Sequence, residues 1–210
     1  MNSMKKSENE YQDIRLLQKL YRAKKKDIAC RLREFSEILD RKNDDEVFCE
    51  LAFCLLTPQS KAHCCWDAIQ RINRHGLLLT GSEDDIKRKL HRVRFHNKKA
   101  GYLVGARDLF RKAKGVSLTD ALQQFPDVRA CREWLVQNIR GFGYKEASHF
   151  LRNIGLGDEI AILDRHILRN LLKFGVIRKI PASLGRAQYL KIEQSMAVFS
   201  RKIGIPLAHL

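Results

Sequence analysis

Apolar residues recur at three- and four-residue steps along almost the whole chain, the spacing of helices that bury one face. Ile14, Leu17, Leu20, Tyr21, Ile28, Leu32, Phe35 and Leu39 predict one long or two short N-terminal helices. Asn43 and Asp44 precede Val47, Phe48, Leu51, Ala52 and Leu55, a capped helix that must end near Thr57-Pro58. A helix from about Ser60 to His75 follows, with Gly76 as its stop. Ser82 with Asp85 reads as a weak capping box for a short helix ending near His91. The next helix runs from Asn97 to Lys114 and closes at Gly115. Beyond it come Thr119–Phe125, then a helix with Pro126 in its first turn that ends at Asn138. Gly141-Phe142-Gly143 separates this from a helix over Tyr144–Ile154 stopped by Gly155. Asp164 caps a helix to Gly175, and Ser183–Ile203 forms the last. Nothing alternates as a strand, and the pattern describes an all-α protein.

Charge changes the picture. The 210 residues hold 40 Lys plus Arg against 24 Asp plus Glu, a formal +16. From Lys87 to Lys114 there are eleven Lys or Arg and a single acid, Asp108, so that stretch alone carries +10. A solvated helix face usually mixes signs. One-sided charge at this density points to a polyanion, because neutralised phosphates release condensed counterions. A lipid surface fits less well, since the stretch lacks a broad apolar face. The longest apolar run, Leu51–Leu56, is far too short to span a membrane. Met1–Glu10 is polar and has no signal-peptide stretch, so an intracellular location (cytoplasm or nucleoid) is expected. The six cysteines, at 30, 49, 54, 64, 65 and 131, form no C-x-x-C pair and read as reduced, mostly buried thiols. Cys49, Cys54, Cys64 and His63 match no standard zinc or iron–sulfur spacing, and no metal is expected.

The most informative stretch is Ile139-Arg140-Gly141-Phe142-Gly143-Tyr144-Lys145-Glu146-Ala147. A helix ends, a two-glycine turn follows, and a new helix begins. Glycines there permit positive φ and close approach of a ligand. The turn's N–H groups, at the positive end of the new helix, suit a phosphate. This helix-hairpin-helix arrangement, about residues 135–155, would grip a DNA backbone without reading bases. A dinucleotide fingerprint would need a glycine at Glu146 and a preceding strand, and both are absent. A plain structural turn remains open on the glycines alone. Lys145 stands at the start of the second helix, where a lysine amine can serve as a nucleophile. Nineteen residues later Asp164 starts another helix. Such a carboxylate can be an ordinary N-cap, or can stabilise positive charge on a sugar and take a proton from the amine.

Gly-Phe-Gly-Tyr-Lys-Glu-Ala-Ser-His (141–149) and Ala-Ile-Leu-Asp-Arg-His-Ile-Leu-Arg (161–169) resemble the helix-hairpin-helix DNA glycosylase superfamily. The likeness is greatest to the compact, archaeal-type 8-oxoguanine DNA glycosylase/AP lyases and extends from about Phe48 to Ile203. It implies a two-lobed all-α fold, with 60–163 a central bundle and 1–59 plus 164–210 a terminal lobe. The lesion pocket is then expected between them.

The resemblance implies that Lys145 attacks C1′ of the damaged nucleoside, that Asp164 is the catalytic carboxylate, and that the resulting Schiff base permits β-elimination. Gln59 takes the place of a polar wedge filling the gap of a flipped nucleotide, and Phe95 that of an aromatic stacked on the extruded base. His149 would face the same pocket; for Phe95 and His149 a core role is the alternative. Gly141, Gly143, Lys98, Lys99 and Arg165, with His166, are expected at DNA phosphates. The partner implied is damaged double-stranded DNA, met by a monomer with no cofactor. The four-cysteine cluster run of endonuclease III relatives is missing, and the chain stops at Ala208-His209-Leu210 where compact members continue with a helix and a terminal lysine. Two rivals are an endonuclease III-like enzyme for oxidised pyrimidines and a non-catalytic helix-hairpin-helix DNA-binding module.

Overall fold

The computed structural model describes residues 2–112 and 117–210, with side chains from 11 to 111 and from 117 onward. Eleven α-helices are described: α1 (Asn2–Asp40), α2 (Asp44–Leu56), α3 (Ala62–Arg74), α4 (Leu77–Thr80), α5 (Glu83–Lys89), α6 (His96–Lys112), α7 (Leu118–Gln123), α8 (Val128–Asn138), α9 (Tyr144–Asn153), α10 (Arg165–Lys173) and α11 (Arg186–Ile203). A 3-10 turn follows at Leu207–His209, and no strand occurs among the described residues. The chain divides into two compact units, residues 35–156 and residues 1–34 with 157–210. These bounds differ from the expected 60–163 core, and α2 accounts for the N-terminal difference. That helix packs against α3, α6, α7 and α9, so it belongs to the middle of the chain.

Residues 35–156 are organised around α2. Val47, Phe48, Leu51, Ala52, Cys54, Leu55 and Leu56 are all buried, which makes this helix apolar on nearly every side and commits it to the interior. Its start is local chemistry: the Asn43 side chain accepts from the N–H groups of Asp45 and Glu46, and three acids fill the first turn. Asp44 also reaches forward, accepting from the Leu118 and Thr119 N–H groups and tying the start of α7 to α2. At α5 the Ser82–Asp85 capping box is complete in both directions.

Residues 1–34 and 157–210 pack α1 against the end of α11. Ile14, Leu17 and Tyr21 lie on a core of Phe199, Ile203 and Ile205, with Phe174, Val176 and Leu210 alongside. The Gln18 amide donates to the Ile203 carbonyl at 2.9 Å, where α11 ends and its last acceptors need partners. Lys173 pairs with Asp13 at 2.7 Å.

Several local expectations shift. The N-terminal pattern takes the one-long-helix form of its two alternatives. Pro126 lies outside α8, whose N-cap is Asp127, accepting from the Ala130 N–H. The last helix begins after Gly185 rather than at Ser183. The expected close of α6 at Lys114-Gly115 lies outside the described residues.

Candidate functional site

The turn between α8 and α9 has the anticipated form. Gly141 adopts φ +82°, a left-handed conformation that side chains disfavour. The Phe142 N–H bonds the Ile139 carbonyl, and Gly143 begins α9 by accepting from the Ala147 N–H. Ile139, Phe142 and Ala147 are buried, locking the two helices together, and Phe142 meets Phe150 edge-on at 6.3 Å. A Cβ on Gly141 would lie 2.4 Å from Tyr102 of α6, so the missing side chain also makes room for that ring. Tyr102 in turn lies beneath the Arg140 guanidinium, 5.6 Å from its ring centre.

Lys145 is the second residue of α9, with its side chain about a quarter exposed and its Nζ 3.5 Å from a Glu146 oxygen. Glu146 occupies the first turn of α9, where a negative charge complements the helix N-terminus. Lys145 therefore combines solvent access with a neighbouring carboxylate at the start of the helix that follows the glycine turn. On the α2 side, burial raises the Cys54 thiol well above its ordinary pKa, helped by Glu50 and opposed by the positive charges of Lys145 and Arg152. His149, one helical turn after Lys145, is partly exposed and stands edge-on to Phe53 at 5.9 Å. Phe53 stands edge-on to the exposed Trp66 at 5.7 Å. This aromatic row, Trp66–Phe53–His149, combines three helices and had no signature in the sequence.

Asp164 belongs to the other unit. It is partly exposed, caps α10 by accepting from the Ile167 N–H at 2.8 Å, and keeps its second oxygen out of that bond. Two buried side chains of α11 hold the segment that leads to it. Tyr189 donates to the Ala161 carbonyl at 2.7 Å and accepts from the Leu163 N–H at 3.2 Å, while Glu193 accepts from the Ala161 N–H at 2.8 Å. Sequence reading places Tyr189 and Glu193 only within α11; their polar role is not visible without the fold. Arg165 and His166 are exposed in the first turn of α10.

Gln59 and Phe95 share an unusual backbone. Each is exposed and left-handed, with φ +56° and +58°, a conformation that costs a non-glycine residue about 1 kcal/mol or more. Phe95 is 53% exposed, which excludes the core role, and the Arg94 guanidinium lies 5.5 Å from its ring centre. A concavity lined by Gln59, Ser60, Lys61, Cys64, Arg92 and Arg94 brings three cations and no carboxylate to this edge.

The basic stretch is not uniformly a surface. Lys98 is exposed as expected. Lys99, expected to meet DNA phosphate, is instead 4% exposed. Its ammonium donates to the Leu56 carbonyl at 2.7 Å, the Pro58 carbonyl at 2.8 Å and Ser60 Oγ at 3.2 Å. The reason is electrostatic: α2 ends in unpaired carbonyls, and a buried cation satisfies them. Desolvation lowers the Lys99 pKa. Arg107 also turns inward, donating to the Gly81 carbonyl at 2.7 Å. Of the cysteines, Cys54, Cys65 and Cys131 are buried, Cys49 and Cys64 are intermediate, and Cys30 is exposed.

Comparison with known proteins gives a consistent set of neighbours. The family model described as 8-oxoguanine DNA glycosylase matches residues 28–205. The 8-oxoguanine DNA glycosylase/AP lyase of Fusobacterium nucleatum is 42% identical over 95% of this chain and 91% of its own. The crystal structure of the Methanocaldococcus jannaschii 8-oxoguanine DNA glycosylase superposes with a TM-score of 0.82 at 36% identity, over 95% of this chain and 90% of that one. A structure of the same organism's 8-oxoguanine glycosylase/lyase in complex with a 15mer DNA containing 8-oxoguanine also gives 0.82 at 36% identity, covering 93% and 91%.

Proposed function

The chain belongs to the 8-oxoguanine DNA glycosylase family, and on that premise we infer that it excises 8-oxoguanine from duplex DNA and nicks the strand through a lysine imine. The observation that carries this reading is Lys145, a partly exposed amine in the turn of helix that directly follows the glycine hairpin.

In the reaction, the hairpin N–H groups hold a backbone phosphate and the exposed cations of the basic edge supply salt-dependent affinity. The neutral Lys145 amine attacks C1′, the bond to the base breaks with its electron pair leaving on the base, and the base takes up a proton. The sugar ring opens to a protonated imine. Loss of a C2′ proton then expels the 3′ phosphate, and water hydrolyses the imine to free the lysine. Asp164 stabilises the positive charge that develops on the sugar and receives the proton from the amine. Gln59 fills the gap left in the duplex, Phe95 stacks on the extruded base, and His149 faces the base. The protein works as a monomer inside the cell, and imine chemistry of this kind requires no metal or organic cofactor.

Borohydride reduction on duplex DNA containing 8-oxoguanine tests the reading. A covalent adduct is expected with the wild-type chain and none with Lys145→Ala, which should keep its affinity for DNA. No wild-type adduct, or an undiminished one with Lys145→Ala, refutes the chemistry. An adduct only with an oxidised pyrimidine would keep the chemistry and overturn the substrate.

A further inference from the structure

Lys99 is a buried cation whose position joins two exposed left-handed residues, Gln59 and Phe95. From one side, its ammonium holds both flanks of Gln59, through the Pro58 carbonyl and Ser60 Oγ. From the other, its own backbone N–H donates to the Phe95 carbonyl at 3.1 Å. Ser60 closes the loop: the same Oγ accepts from the Arg94 N–H at 3.1 Å. Four hydrogen bonds thus link the residues on either side of Gln59 to Phe95 and to the residue before it. Gln59 is in the left-handed conformation between two clamped neighbours, and Phe95 between Arg94 and the first turn of α6.

We propose that Lys99 and Ser60 form a latch that presets Gln59 and Phe95 as one unit, so that filling the duplex gap and stacking the extruded base occur together. The inference depends on the proposed DNA reading for what the two tips do. It goes beyond that reading in assigning Lys99 and Ser60 as positioning residues that never touch DNA. A strained backbone persists only where its surroundings over-determine it, and these bonds supply that constraint at both tips. The buried ammonium also explains why the latch is a lysine. Its long stem reaches the α2 terminus, and a single ammonium nitrogen donates three diverging bonds at once.

Two variants separate this latch from a merely structural role. Lys99→Met removes the ammonium at similar volume, and Ser60→Ala, the milder change, removes only the shared hydroxyl. Hydrogen exchange on the DNA-free protein should speed up together over residues 57–60 and 92–95 in Ser60→Ala. Acceleration of one segment alone, or of neither, overturns the latch without reference to activity. On DNA, single-turnover base excision at 8-oxoguanine should fall at least tenfold more than nicking of a preformed abasic site, where no base is left to extrude. That ratio corresponds to about 1.4 kcal/mol of selective loss. Equal losses on the two substrates would assign Lys99 and Ser60 to stability alone. Gln59→Ala should also cost less in the Ser60→Ala background than in wild type, and an equal cost contradicts the coupling. If the wild-type chain excises nothing, the function reading fails, and the exchange experiment still decides whether the latch exists.

Discussion

Gly141→Ala is the sharpest single perturbation of the hairpin. Two separate costs follow from the structure. Alanine at φ +82° pays the left-handed penalty of about 1–2 kcal/mol. Its Cβ would also be placed 2.4 Å from Tyr102 Cδ2, against an ordinary carbon contact of about 3.5–4.0 Å. Relieving that overlap means moving the ring or the turn, typically about 1–3 kcal/mol. The expected loss is about 2–5 kcal/mol, or about 4–20 °C in melting temperature for a chain of this size. Urea unfolding of four proteins measures it: wild type, Gly141→Ala, Tyr102→Ala and the double variant. With the ring gone the steric part vanishes and the backbone part stays, so Gly141→Ala should cost only about 1–2 kcal/mol in the Tyr102→Ala background. A coupling energy of about 1–3 kcal/mol is then expected. Equal costs in the two backgrounds, or a total below about 1 kcal/mol, would refute the close approach of Tyr102 as the reason for glycine.

Four further outcomes follow from named residues. Asp164→Asn keeps a good N-cap and removes the charge, so melting should stay near wild type while base excision falls steeply; Asp164→Ala should in addition lose about 1 kcal/mol of stability. A wild-type excision rate in Asp164→Asn would remove the carboxylate from the chemistry. Tyr189→Phe leaves the Ala161 carbonyl and the Leu163 N–H short of a buried partner and should cost about 1–3 kcal/mol in urea unfolding; an unchanged midpoint would mean those bonds do not hold the segment before Asp164. Burial raises the Cys49 thiol to about 11 and the Cys131 thiol to about 12 from an ordinary 9. Iodoacetamide at pH 8 should therefore label Cys30 first and spare Cys49 and Cys131, as read by peptide mass spectrometry. Because the unfolded chain releases these protons near pH 9 while the folded chain keeps them, the urea midpoint should fall as pH rises from 8 to 10.5.

How far the sequence reached depends on the range of the interaction concerned. Helix positions other than Leu77–Thr80, the Asn43 and Asp164 caps, the Ser82–Asp85 box and the hairpin glycines were legible, because each is decided within three or four residues. Pro126 falls two residues before α8 because Asp127, the better cap, takes the position next to it. Lys145 and Asp164 stood out because a motif surrounds each of them. What holds the Asp164 segment did not, since Tyr189 and Glu193 look like any other positions on an amphipathic helix.

Charge illustrates the division most directly. By itself the sequence determined that the chain is helical, strongly basic between Lys87 and Lys114, and built around a hairpin suited to phosphate. Only the tertiary structure decided which cations face solvent. Lys98 and Lys99 are neighbours with the same side chain, yet one is exposed and the other is buried against carbonyls some forty residues earlier. A helix turns by about 100° per residue, so adjacent lysines point to different faces, and the unpaired end of α2 lay on the face of the second. No local pattern could register that, because the group in need of a partner is created only when α2 and α6 meet.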